Sequence, residues 1–163
     1  EKYQEMGGVV SLKRVAEALK RYAPGDDLRR LARMVVLAVG IGNLDMHTKN
    51  ISLVHPEDDD LRLAPAYDVV PQAHMPGDGR MALAINKKYR HSEITRDDLL
   101  AEFVSWGLRR AAVTIGETLD ELGSAIGEEV PLEGAFPLLQ EQIAVFVDNL
   151  SYGSPAGGRQ VGN

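Results

Sequence analysis

At 163 residues, with 44% apolar and 26% charged side chains, the chain has the size and composition of one soluble globular domain, large enough to bury roughly two thirds of its unfolded surface. No run of about 18 apolar residues exists, so no membrane span is expected; the absence of cysteine excludes disulfides, zinc-thiolate sites and thiol nucleophiles, and fits a reducing cytoplasm. The net charge of −6 argues against a broad nucleic-acid footprint, leaving only local basic clusters at Arg109-Arg110 or at Lys87, Lys88 and Arg90.

The chain begins at Glu1 without a Met, within what reads as functional sequence, and a piece of a longer protein is expected. No secretory signal is visible. After the loop Glu5-Met6-Gly7-Gly8, Ser11 is placed to cap a helix whose stripe is Leu12, Val15, Ala16, Leu19 and Tyr22, ended by Pro24-Gly25. Asp26 and Asp27 put negative charge at the start of the next helix, where the dipole favours it. From Leu28 to Val39 that helix is apolar on nearly every face, which predicts a buried central element running straight into the polar stretch Gly40 to Asn43.

The stretch from Gly42 to Leu53 is polar between apolar flanks. In it an Asp is followed five residues later by an Asn and then by a short apolar strand. Phosphoryl-transfer kinases use that arrangement, the Asp taking the hydroxyl proton and the Asn holding Mg²⁺. Two apolar pieces, Ile51 to Val54 and Leu61 to Ala64, are expected to pair as a hairpin across the acidic turn from His55 to Asp60. The hairpin would return Asp68, 23 residues past Asp45, to the side of Asn50. Taken alone, Asp45 would be a loop or cap aspartate; the company of Asn50 and Asp68 favours the catalytic reading. His47 is expected to brace the loop by a hydrogen bond, Lys49 either to neutralise phosphate or to sit exposed, and Tyr67 to pack beneath the site. The acidic run Glu57 to Asp60 is expected at a solvated hairpin tip, and His55, His74 and His91 on the surface.

Val69 to Arg80 reads as a loop and Met81 to Ile85 as a short strand ending at Asn86. Thr95 with Asp98 forms a capping-box pattern opening a helix with Leu99, Leu100, Phe103, Val104 and Trp106 on its apolar side, and Gly107 marks its end. Further helices are expected from about Ala111 to Ile126 and from about Pro137 to Leu150. The fold class is therefore mainly α (α+β), with one domain over residues 1–150 and a Gly-, Ser- and Pro-rich flexible tail over 151–163.

Lys2-Tyr3-Gln4 with Gly7-Gly8, the Asp-x-His-x-Lys-Asn core from Asp45 to Asn50 inside Gly42 to Ser52, Leu63 to Asp68, and Met81 to Asn86 together resemble the HipA family of bacterial toxin kinases, over nearly the whole chain up to about Gly107. The resemblance implies a helical kinase C-terminal lobe with Asp45 as catalytic base, Asn50 and Asp68 as Mg²⁺ ligands, and His47, Thr48, Lys49, Asn50, Tyr67 and Asp68 around the ATP. It also implies a protein Ser/Thr substrate such as an aminoacyl-tRNA synthetase, restraint by a HipB-like helix-turn-helix antitoxin, and contact with DNA only through that antitoxin. No phosphate-cradling loop with its lysine is found upstream of Asp45: Gly40-Ile41-Gly42 and Gly77-Asp78-Gly79 lack the strand-to-helix context. The chain thus resembles the lobe that supplies base and metal ligands, expected to be inactive by itself. Three other readings stay open on the residues: a small-molecule or lipid kinase with the same trio, a metal-dependent phosphoester hydrolase using Asp45, His47, Asp68 and His74, and a non-catalytic helical interaction module.

Overall fold

The structure is a computed structural model that describes residues 10–23, 25–55 and 61–158. Ser11 is extended and its hydroxyl accepts from Arg14 N at 3.3 Å, capping helix α1 (Leu12–Tyr22) as its residue type predicts. Leu12, Ala16 and Leu19 are buried, but Tyr22 is 53% exposed. At 100° per residue the stripe through Leu12, Ala16 and Leu19 continues to Ala23, which is 3% exposed, and Tyr22 falls outside it. Pro24 and the loop Glu5 to Gly8 lie outside the described residues.

Helix α2 (Asp27–Ile41) is the central element expected: Leu31, Ala32, Val35, Val36, Ala38 and Val39 are all buried. Two features differ from the sequence reading. Its Arg29 and Arg33 form ion pairs with Glu117 and Glu121 on a neighbouring helix, so one face is charged and not apolar. Asp27 is more than a dipole partner. Its carboxylate is 2% exposed, accepts from Leu63 N at 2.7 Å, and pairs with Arg30 at 2.8 Å, which ties the start of α2 to the hairpin that follows the polar loop. A buried carboxylate can be sustained there because both oxygens have donors.

Strands β1 (Leu53–Val54) and β2 (Arg62–Leu63) pair antiparallel, Leu53 opposite Leu63 and Val54 opposite Arg62, as expected; the acidic turn from Pro56 to Asp60 lies outside the described residues. Strand β3 (Arg80–Ile85) was expected, whereas its antiparallel partner β4 (Lys88–Arg90) was not. The two are joined by Asn86 (φ 48°) and Lys87 (φ 66°), both left-handed as a two-residue hairpin turn demands. The usual glycine of that turn is replaced by Lys87, which hides the signal.

Helix α3 (Arg96–Ser105) begins with the expected capping box, Thr95 Oγ1 accepting from Asp98 N and the Asp98 carboxylate accepting from Thr95 N. Phe103 and Trp106 are buried, but Val104 is 60% exposed, one residue round from Phe103 and so off the buried face. Helices α4 (Ala111–Glu128) and α5 (Leu139–Ser151) pack against α2 and each other to close the core. Residues 152–158, read from the sequence as part of a flexible tail, pack back onto the domain: Ala156 is fully buried, its N–H donates to Ile94 O at 2.8 Å and its carbonyl accepts from the buried Asn149 side chain at 2.9 Å. The composition of this segment suggested disorder, but the buried Ala156, the Asn149 side chain and backbone bonds to Asn149 O, Ser92 O and Ile94 O hold it. Mainly helical, with two small antiparallel hairpins, the architecture is the one the sequence implies.

His91, expected on the surface, is 3% exposed, with Nε2 2.7 Å from Val39 O and its ring edge-on to Phe146. Burial pushes its pKa below the ordinary 6.5, although the Val39 hydrogen bond acts the other way. For Asp98, burial would raise the carboxyl, but hydrogen bonds from Lys88, Asn86 and Thr95 outweigh it and hold it below its ordinary 3.8. A group whose pKa is depressed by folding contributes stability above its unfolded value and loses it as pH falls through the folded one. The thermal midpoint should therefore fall in two stages on acidification, below about 6.5 through His91 and below about 3.8 through Asp98. Melting curves from pH 8 to 3 test this; a His91→Gln variant that retains the full first stage would refute the assignment.

Candidate functional site

The polar loop begins with a Schellman ending. Gly42 is left-handed (φ 69°), its N–H reaches Val39 O at 3.3 Å, and Asn43 N reaches Ala38 O at 2.8 Å, closing the last carbonyls of α2. The loop is then pinned from two sides. Gly42 O accepts from both Gln72 N and Ala73 N, and Leu44 O accepts from Ala82 N of β3. Asn43 is 3% exposed and its Oδ1 accepts from Asp45 N at 3.1 Å; such an Asx turn aims Asp45 by fixing its backbone. Asn43 was not singled out in the sequence, although an Asn two residues before the key Asp is the signal for it.

A short 3-10 turn, Thr48–Asn50, carries the rest of the motif. Asn50 is 6% exposed and donates both amide protons, one to Asp45 O at 3.2 Å and one to Asp68 Oδ2 at 3.1 Å. Asn50 thus links the backbone of Asp45 to the carboxylate of Asp68, 23 residues further along the chain. Asp68 is exposed and left-handed (φ 55°), a conformation uncommon outside glycine that Asp tolerates better than most.

The surrounding residues fall differently from expectation. The His47 side chain is 8% exposed and its Nε2 lies 4.0 Å from Asp45 Oδ2, beyond hydrogen-bond distance, while Nδ1 has no hydrogen-bond partner among the described residues; the loop-bracing hydrogen bond expected of His47 is not found among them. Lys49 is exposed and Thr48 half-buried. Tyr67 does not pack beneath the site: it is 43% exposed and its hydroxyl touches Lys49 O and Ser52 Oγ, each at 2.6 Å. His55 is exposed as expected, and His74 is half-buried and stacked on Phe136.

The donor set suits a hard divalent cation. With the Asn50 amide nitrogen engaged by Asp45 O and Asp68 Oδ2, Asn50 Oδ1 and the Asp68 carboxylate are the oxygens that could hold such a cation. Among the described residues no group of three or more His, Asp or Glu converges.

Fold and site define a mainly helical domain in which a polar loop at the end of a buried helix meets a second acid returned by a hairpin. The HipA-like C-terminal domain model matches residues 1–128, and the chain belongs to that family. A protein of Sinorhizobium fredii (strain NBRC 101917 / NGR234) with the name "Putative kinase Y4dM" is 32% identical over 74 residues, 45% of this chain and 18% of that protein. A solved complex of the Shewanella oneidensis MR-1 toxin-antitoxin system, HipA with HipB and its operator DNA, matches with a TM-score of 0.69 at 20% identity, over 88% of this chain and 38% of that chain. The structural likeness is one of fold, and the chain spans well under half of either protein. No helix among the described residues is long and apolar enough to cross a membrane.

Proposed function

We propose that the chain is the base- and metal-bearing lobe of a HipA-like cytoplasmic serine/threonine kinase that transfers the γ-phosphoryl of ATP to a protein hydroxyl. The observation that carries this reading is the meeting of Asn50 with Asp68 at 3.1 Å while the same amide holds the Asp45 carbonyl. In it Asp45 orients the acceptor hydroxyl and takes its proton, and Asn50 Oδ1 and the Asp68 carboxylate hold Mg²⁺. When bound, the cation offsets charge on the transferring phosphoryl group. His47, Thr48, Lys49 and Tyr67 border the nucleotide, with exposed Lys49 available to phosphate oxygens. A HipB-like antitoxin belongs to the same reading, supported by the composition of the Shewanella complex; a protein substrate such as an aminoacyl-tRNA synthetase rests on the motif resemblance alone.

Nothing in these 163 residues has the pattern of a phosphate-gripping loop, and Mg²⁺ with two oxygen ligands does not replace one. The chain alone should therefore bind ATP more weakly than micromolar, and calorimetry giving a micromolar Kd would contradict this division of labour. For the kinase itself, γ-labelled ATP and Mg²⁺ are supplied to the full-length protein with a bacterial protein extract, followed by phosphoamino-acid analysis. Label in phosphoserine or phosphothreonine is expected. Label only in small molecules or lipid would replace the protein substrate with the related alternative.

A further inference from the structure

We propose that the Tyr67 hydroxyl is a positioning group that sets the register of the Asn50 loop against Asp68 and so builds the cation site. The proposal rests on the metal reading above and adds to it the device that holds the two ligands together.

The two ligands sit on separate arms of the chain. Among the described residues, the last backbone hydrogen bond between those arms runs from Ala64 N to Ser52 O at 2.8 Å. Four residues further on, Asp68 must still arrive beside Asn50, in a left-handed conformation (φ 55°) that persists only when its surroundings over-determine it. Side chains supply that determination. The phenol of Tyr67 lies 2.6 Å from Lys49 O and 2.6 Å from Ser52 Oγ. A carbonyl can only accept, so the single phenol proton goes to Lys49 O and the Ser52 hydroxyl donates to the phenol oxygen. The two contacts bracket Asn50 on either side, and the next residue after Tyr67 takes the Asn50 amide at 3.1 Å. Residues 67 and 68 thus grip the segment 49–52 at three points. The exposure of the Tyr67 ring fits this role, since the hydroxyl and not apolar packing fixes its place. Groups that orient metal ligands typically change metal affinity about 10-fold or more when removed.

Tyr67→Phe deletes the hydroxyl and keeps the ring. The test uses the 163-residue chain with Mn²⁺ as the probe, and follows paramagnetic broadening of the Asn50 and Asp68 amide resonances by NMR. A metal-free arm follows the Asn50 side-chain amide, whose two protons are each hydrogen-bonded and should resonate apart. In Tyr67→Phe we expect the Mn²⁺ concentration for half-broadening to rise about 10-fold and the side-chain amide protons to draw together, with the melting temperature nearly unchanged. Ser52→Ala, which removes one of the two contacts, should show a smaller change in the same direction and carries the test if Tyr67→Phe fails to fold. Unchanged amide shifts and Mn²⁺ response in both variants overturn the positioning role while leaving the metal reading intact. Absence of broadening in the wild type, with a non-hydrolysable ATP analogue also present and no Mg²⁺, overturns the metal reading and with it the cation-site half of the proposal; the metal-free arm then decides whether Tyr67 sets the register at all.

Discussion

Asp45→Asn in the full-length protein is expected to lower turnover by about 10² or more, because it keeps the size of the side chain but removes the basic oxygen that takes the acceptor proton. Nucleotide affinity should change little, since Asp45 is not assigned to the metal. Asp68→Ala should instead weaken Mg²⁺-dependent nucleotide binding as well as turnover, because it deletes the proposed charged ligand, which lies 3.1 Å from Asn50 Nδ2. Titrating Mg²⁺ and ATP against each variant, while following phosphate incorporation into protein, separates the two roles. Wild-type turnover in Asp45→Asn would remove the base assignment and the kinase reading built on it.

The largest effect on stability is expected at the junction of α2 and the loop. Gly42 has a left-handed φ of 69°, and a Cβ there would meet Ala73 Cβ at 2.6 Å and the Phe146 ring at 3.1 Å. The Ala73 contact cannot relax freely, because Ala73 N is itself bonded to Gly42 O at 3.0 Å. Gly42→Ala should therefore cost roughly 2–4 kcal/mol, combining left-handed strain with overpacking. Gly79 provides the comparison: its φ is 68° but nothing lies within 4 Å of a built Cβ, so Gly79→Ala should cost only about 1 kcal/mol, the strain alone. Urea unfolding of the two variants checks the difference. Equal losses would show that conformation, and not the Ala73 contact, is what makes Gly42 necessary. Since Gly42 also positions Asn43 and hence Asp45, its substitution should disturb the site along with the fold.

Much of this protein follows from local patterns. Ser11 and Thr95 mark their helix starts because a hydroxyl before a helix has one efficient partner, a backbone N–H two or three residues on. Most of the α1 stripe, the burial of α2 and the pairing of the two apolar pieces around Leu53 and Leu63 follow from periodicity and spacing, and the Asp-x-His-x-Lys-Asn core marks the candidate site by residue type alone. What depended on tertiary structure is the set of partners drawn from distant parts of the chain. Asp27 sits at a helix start, where its own neighbourhood suggests only a dipole contact, yet it accepts from Leu63 N, 36 residues away. His91 gives no local sign of burial and is closed in by Val39 and Phe146. The tail around Ala156 has a composition typical of disorder and is ordered by Asn149 and Ile94. Asn86-Lys87 forms a hairpin turn without the glycine that would advertise it. The candidate trio Asp45, Asn50 and Asp68 was thus legible from residue type and spacing, because those determine what a side chain can do. The return of Asp68 to Asn50 was also expected from the hairpin spacing, but the hold of Tyr67 on the loop was decided by the fold, because its hydrogen bonds depend on positions that sequence neighbours alone do not set.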